Sequence, residues 1–221
     1  MNVSKSLPEQ HFRPSSNAVQ RLHRRIFDVI LAILALILLW PLFLLIGWLV
    51  YLDSPGAILF QQPRLGFGGR RFTLLKFRTM HTAGEKQLNQ VLAQKGQHRR
   101  DWVEFQKLKN DPRLTRCGRW LRRWSLDELP QLLNVLAGDM SLVGPRPILP
   151  EQRKAYGASF TAYAQMRPGI TGLWQVSGRK CTTFEERVHL DRVYLSRRSF
   201  GLDLQILFRT IGVVIRGVGA Y

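Results

Sequence analysis

The chain has 221 residues, 45% of them hydrophobic, and carries 33 lysines and arginines against 15 aspartates and glutamates, a net charge of +18. That length gives one domain, or one domain plus a membrane element, with a core of its own. The charge calls for an anionic partner, whether nucleic acid, an anionic membrane surface or a phosphorylated substrate. The two cysteines, Cys117 and Cys181, show no CxxC or Cys/His spacing, which argues against a zinc site and for a reducing compartment.

Residues 1–20 are polar and read as a disordered tail. Val29 to Leu52 is a run of 24 residues without a charged side chain, bracketed by Asp28 and Asp53. It is long enough to cross a bilayer, which needs about 20 apolar residues, and too long for a secretory signal. Arg21, Arg24 and Arg25 place its N-terminal side in the cytoplasm. Pro41 removes a helix hydrogen bond near the middle of the run. Two topologies follow: a kinked spanning helix, or a re-entrant helix that bends at Pro41 and leaves on its entry side. The strongly basic remainder, with no second span, favours the re-entrant form.

Beyond Asp53, the β-prone runs Ile58–Phe60 and Phe72–Leu75 flank Gly66-Phe67-Gly68-Gly69 and predict a hairpin over Ala57–Phe77. The glycines form no GxGxxG and open no helix, which argues against a dinucleotide site. His81 to Asn110 reads as a loop or exposed helix. Leu129, Leu132, Leu133 and Leu136 mark a helix starting near Asp127 and stopping at Gly138. Val143–Pro147 and Arg167–Gly172 read as rigid turns. Thr182 and Glu185 have the spacing of a capping box for a helix running toward Leu195. Leu204, Leu207, Phe208, Ile211 and Ile215 form a final amphipathic stripe, to pack on the core or to lie in a membrane interface.

The sharpest local signal is Asp127-Glu128, two adjacent acids directly after Arg113, Arg116, Arg119, Arg122 and Arg123. Ser125 and Glu128 fit a capping box, but Pro130 suits a helix with Asp127 as N-cap better. Capping and catalysis are both open for Asp127. A carboxylate there is placed to attack phosphorus, while a neighbour holds a magnesium ion that neutralises the developing charge. Arginines at three-residue spacing suit a diphosphate, although solvated surface charge explains at least half of them.

Several stretches carry a resemblance: Lys76-Phe77-Arg78-Thr79-Met80, Ser125 to Asn134 (SLDELPQLLN), Gly138 to Pro147 (GDMSLVGPRP), Arg167 to Gly172 (RPGITG), Trp174 to Arg179 (WQVSGR), Leu190-Asp191 and Leu202 to Leu207 (LDLQIL). In this order they resemble the bacterial sugar transferases known as monotopic phosphoglycosyl transferases, or polyprenyl-phosphate hexose-1-phosphate transferases, from about Arg25 to the C-terminus. The resemblance implies an α+β, mostly helical enzyme. Its parts would be a tail (1–20), a membrane-embedded re-entrant helix broken at Pro41 (21–53) and a small cytoplasmic catalytic domain containing the hairpin (54–221). It implies transfer of galactose- or glucose-1-phosphate from a UDP-sugar to undecaprenyl phosphate at the bacterial inner membrane, with release of UMP and Mg2+ as cofactor. This would be the first membrane step of exopolysaccharide or O-antigen synthesis. It further implies that Asp127 is the nucleophile, that Glu128 is the magnesium ligand, and that Lys76, Arg122, Arg146, Arg179 and Asp191 belong to the substrate site. A homo-oligomer is compatible with it. The alternatives are a membrane-anchored basic binding module and a non-catalytic scaffold for polysaccharide assembly. No base-stacking stripe or recognition motif supports nucleic acid as the partner.

Overall fold

The computed structural model describes residues 18–82, 93, 111–177 and 183–217. Helix α1 (Ala18–Asp53) holds the whole apolar run. It begins three residues inside the segment expected to be a tail. Helical residues continue on both sides of Pro41, so the expected break there does not interrupt the secondary structure. One face of α1 packs on the body through Ala32, Ile46 and Val50, while Leu34, Ile37, Leu38, Leu44 and Trp48 are exposed.

Both ends of α1 are fastened to the same body. At the N-terminal end the Arg25 guanidinium donates to the carbonyls of Val135 (2.6 Å) and Leu136 (3.0 Å). The Asp28 carboxylate accepts from Ser141 Oγ at 2.7 Å and Leu142 N at 3.2 Å, and Arg24 pairs with Asp203 at 3.5 Å. At the other end Asp53 accepts from the backbone N–H of Cys117 at 2.7 Å, and Arg78 donates to the Ser54 carbonyl.

The hairpin forms as expected, with β1 (Leu59–Leu65) antiparallel to β2 (Arg71–Phe77) and Leu59 opposite Phe77. The turn needs glycine at Gly68 and Gly69, where φ is 65° and 72°. Helix α2 (Arg116–Arg123) is capped by Thr115, which accepts from Gly118 N. Arg113 precedes the helix and is held by Asp111 at 2.6 Å. Arg116, Arg119 and Arg123 are solvated, in keeping with the expectation that surface charge explains at least half of the arginines.

Helix α3 (Gln131–Ala137) ends at Gly138, which adopts φ 91°. Its start differs from expectation. Residues Leu126–Glu128 form a single 3-10 turn, and the α-helix begins only after Pro130. Ser125 makes no cap hydrogen bond, so neither Ser125 nor Asp127 caps an α-helix. Proline supplies no N–H to carry an α-helical ladder back through this point, and the preceding turn closes by i→i−3 bonds: Glu128 N to Ser125 O and Leu129 N to Leu126 O.

Arg167–Gly172, read as a turn, instead contains a strand, whereas Val143–Pro147 has only Val143 in a strand and bends at 144–145 as expected. β3 (Ser141–Val143) lies parallel to β4 (Gly169–Thr171). Between them run the short helices α4 (Arg153–Tyr156) and α5 (Ser159–Tyr163). Helix α6 (Leu173–Val176) follows β4. Helix α7 (Phe184–Arg197) is opened by a capping box one residue later than expected, between Thr183 and Glu186; Thr182 lies outside the described residues. In α8 (Phe200–Ile215) the buried positions are Asp203 and Ile206. The predicted stripe is divided between the two expected settings: Leu207 packs against the core, while Phe208, Ile211 and Ile215 are exposed. Most of 81–110 lies outside the described residues. The main core gathers Ala32, Leu74, Val135, Met140, Met166, Tyr194 and Ile206, so α1 is integral to it.

Candidate active site

Three separate segments converge at the end of the hairpin. β2 supplies Lys76, the 3-10 turn supplies Asp127 and Glu128, and the loop after β3 supplies Arg146. Ser125, just before the turn, sits in the left-handed region at φ 53°. That conformation is uncommon for a residue with a side chain and turns the chain so that both acids face β2. Lys76 Nζ lies 2.8 Å from Glu128 Oε1 and 3.8 Å from Asp127 Oδ2. Arg146 Nη1 approaches the same Glu128 oxygen at 3.5 Å. Arg122 leans in from α2, where Thr79 Oγ1 accepts from its Nε at 3.0 Å.

Asp127 is only 7% exposed. Burial pushes its carboxyl above the usual range, and neighbouring Glu128 adds to this, while Lys76, Arg122 and Arg146 pull the other way. The result is a desolvated carboxylate whose charge depends on three cations. Arg122 is itself lowered by burial, with Asp127 the strongest counterweight.

Arg64, Lys76, Glu128, Gln131 and Arg146 line a narrow cleft of about 10 Å3, room for roughly one water. A larger reactant must therefore engage the mouth of the cleft. A wider cavity of about 420 Å3 lies between α1 and α2, lined by Leu49, Leu52, Asp53, Arg116, Cys117 and Trp120. It is mostly apolar, and none of Lys76, Arg122, Asp127, Glu128 or Arg146 lines it.

Residues 19–217 match the bacterial sugar transferase family. The chain belongs to that family. It is 44% identical to a UDP-galactose-lipid carrier transferase of Erwinia amylovora over 91% of this chain and 42% of that protein. It is 44% identical to exopolysaccharide production protein ExoY of Sinorhizobium fredii over 90% of this chain and 88% of that protein. It is also 43% identical to an undecaprenyl-phosphate galactose phosphotransferase of Salmonella typhimurium, over 91% and 42% of the two chains. The chain thus spans about two fifths of the longer relatives and most of the shorter one.

Of the residues that the sugar transferase resemblance picks out, Lys76, Arg122, Asp127, Glu128 and Arg146 come together. Arg179 lies outside the described residues. Asp191, on α7 with Arg187, is 5% exposed and accepts from the Tyr156 hydroxyl at 2.8 Å. Burial pushes its carboxyl up to about 6, against the pull of Arg187 and the Tyr156 hydrogen bond. Its direct partner is thus Tyr156 of α4, and the cation that acts on it is Arg187.

Sequence reasoning missed Arg64, Trp174 and Arg187. Arg64 donates to the Pro147 carbonyl at 3.1 Å and to Gln62 at 2.6 Å. Burial, together with Arg146 and Arg187, pushes its guanidinium down to about 10. Arg146 and Arg187 both sit over the Trp174 ring, at 5.8 and 5.2 Å. The three missed residues come from three distant segments, and no spacing in the chain links them.

No three histidine, cysteine or acidic side chains gather as a metal cage among the described residues. Magnesium does not require one, since it takes one or two carboxylates and completes its shell with phosphate oxygens and water. Glu128, whose carboxylate borders the cleft beside Asp127, fits that donor set.

Proposed function

We propose that this chain transfers a hexose 1-phosphate, galactose- or glucose-1-phosphate, from a UDP-sugar to undecaprenyl phosphate and releases UMP, as the first membrane step of exopolysaccharide or O-antigen synthesis. The observation that carries this reading is the buried Asp127 beside Glu128, faced by Lys76, Arg122 and Arg146. The names of the relatives point the same way. One is named an undecaprenyl-phosphate galactose phosphotransferase, and another, from Caulobacter vibrioides, a UDP-glucose:undecaprenyl-phosphate glucose-1-phosphate transferase.

In this mechanism an Asp127 carboxylate oxygen attacks the sugar-bearing phosphorus. The bond from that phosphorus to the bridging oxygen breaks, and UMP leaves with the electron pair. An acyl phosphate to the sugar remains on Asp127. A lipid phosphate oxygen then attacks the same phosphorus and restores the carboxylate. Lys76 and Arg146 hold phosphate oxygens, and Arg122 steadies Asp127 as an anion. Magnesium, held by Glu128, would offset charge on the two phosphates. In purified full-length protein with Mg2+ and undecaprenyl phosphate, UMP release is expected from UDP-galactose or UDP-glucose. No release from any UDP-hexose would refute the reaction.

The membrane reading extends this to the bacterial inner membrane, with the catalytic body on the cytoplasmic side. Between Asp28 and Asp53 a straight helix would rise roughly 38 Å, more than the roughly 30 Å hydrocarbon core. A spanning α1 would separate these residues across the bilayer, yet both are hydrogen-bonded to one body. That supports a helix that enters and leaves on one side. The exposed apolar residues of α1 and α8, together with Trp120 on α2, form the surface it would sink into the bilayer. The exposed arginines of α2 would add attraction of roughly 1 kcal/mol each to an anionic leaflet. Cysteines introduced at positions 20 and 55 of a cysteine-free variant should both label from the cytoplasmic side only. Labelling of the two from opposite sides would establish a span.

A further inference from the structure

The mechanism uses Lys76, Arg122 and Arg146 for charge but leaves unassigned a second group of cations on the far side of Arg146. Arg187 extends from α7 and lies between two rings, 5.2 Å from the centroid of Trp174 and 5.7 Å from that of Phe184. Its Nη2 points toward the Arg146 carbonyl at 3.4 Å. Its Nε is buried without a hydrogen-bond partner, as is the Nε of Arg64. An unpaired buried donor costs stability unless a ligand takes it up. Three guanidiniums thus surround the loop 144–147 and the face of Trp174. Among the described residues the only carboxylate in a salt bridge with any of them is Glu128, and Asp191 acts on Arg187 at longer range.

We propose that Arg187, stacked on Trp174, binds the phosphate that departs with the nucleoside, while Lys76 and Arg146 serve the phosphate under attack. This rests on the reaction proposed above. The arrangement divides a diphosphate between two cationic groups joined at Arg146. Arg146 reaches Glu128 on one side and shares the Trp174 ring with Arg187 on the other. Arg64 is a positioning residue: two of its nitrogens are taken by Pro147 O and Gln62, so it fixes the loop that carries Arg146. The chemical class of the ligand follows from the site, a nucleoside monophosphate dianion held by a planar fork whose rotation is restricted by two rings.

The test is calorimetric titration of the full chain in detergent with UMP and with uridine. The wild type is expected to bind UMP clearly more tightly than uridine. Arg187→Gln is expected to weaken UMP by about tenfold or more, the scale of a charge-assisted hydrogen bond, and to leave uridine unchanged. UMP affinity of Arg187→Gln within about twofold of wild type overturns the assignment. If the variant does not fold, the wild type decides the matter. Saturating UMP should shield Arg187 from an arginine-specific dicarbonyl, read by peptide mass, and absence of shielding overturns the assignment. UMP release by wild type without such shielding leaves the reaction standing and removes only the role of Arg187. A wild type that neither binds nor releases UMP removes both.

Discussion

Asp127→Asn is expected to lower UMP release at least about a thousandfold, because an amide oxygen cannot form the covalent link that divides the transfer into two steps. The loss should not come from unfolding. Asp127 is buried and its carboxyl is pushed above the usual range, so the folded chain bears a cost for keeping it ionised. Asparagine has nearly the same shape and no charge to desolvate. The variant should therefore melt no lower than the wild type, with Lys76 retaining Glu128 at 2.8 Å. Two measurements check this together: the rate of UMP release, and intact mass after donor alone, which should gain a sugar phosphate in the wild type and nothing in the variant. Near-normal turnover by Asp127→Asn would transfer the nucleophile to another group and end the proposed assignment.

Gly169→Ala is expected to act through the fold. In β4 the Gly169 N–H donates to the Pro145 carbonyl at 2.8 Å, and Gly144 N–H donates to Thr171 O at 2.9 Å. The strands approach so closely that a methyl group at 169 would overlap the backbone nitrogen of Gly144 and the Thr171 carbonyl. Both obstacles are backbone, so no side-chain rotation relieves them. A cost of about 3–5 kcal/mol follows, enough to prevent folding or to lower the melting temperature sharply. Any folded remainder should lose activity, since Arg146 leaves β3 two residues after Gly144. A melting temperature equal to that of the wild type would show that the strands separate more easily than their contact implies.

These two sites also show where sequence patterns carry information and where they do not. The hairpin was legible because β-prone runs flank glycines that the turn needs. The acidic pair was legible because two carboxylates stand out beside so many arginines. The start of α3 was misplaced because proline was given a seat inside the helix, whereas its missing N–H closed the previous turn as 3-10. β3 and β4 gave no pattern, being three residues each and held by glycines at close approach. Arg64, Trp174 and Arg187 are brought together only by tertiary packing. Asp191 came from resemblance alone, and its partners Tyr156 and Arg187 could be read only from the fold.

The fastening of α1 bears on how the chain is made. Its polar ends wait for partners encoded far downstream: Asp53 for Cys117, Arg25 for Val135, Asp28 for Ser141 and Leu142. During synthesis the apolar helix stays without these latches until 64 further residues have followed Asp53 and 110 to 114 have followed Arg25 and Asp28. Contacts of such long sequence separation form slowly, and exposed apolar surface is prone to aggregation in the interval. Final seating of α1 and assembly of the catalytic pocket are therefore one late event, in which downstream segments anchor an earlier helix.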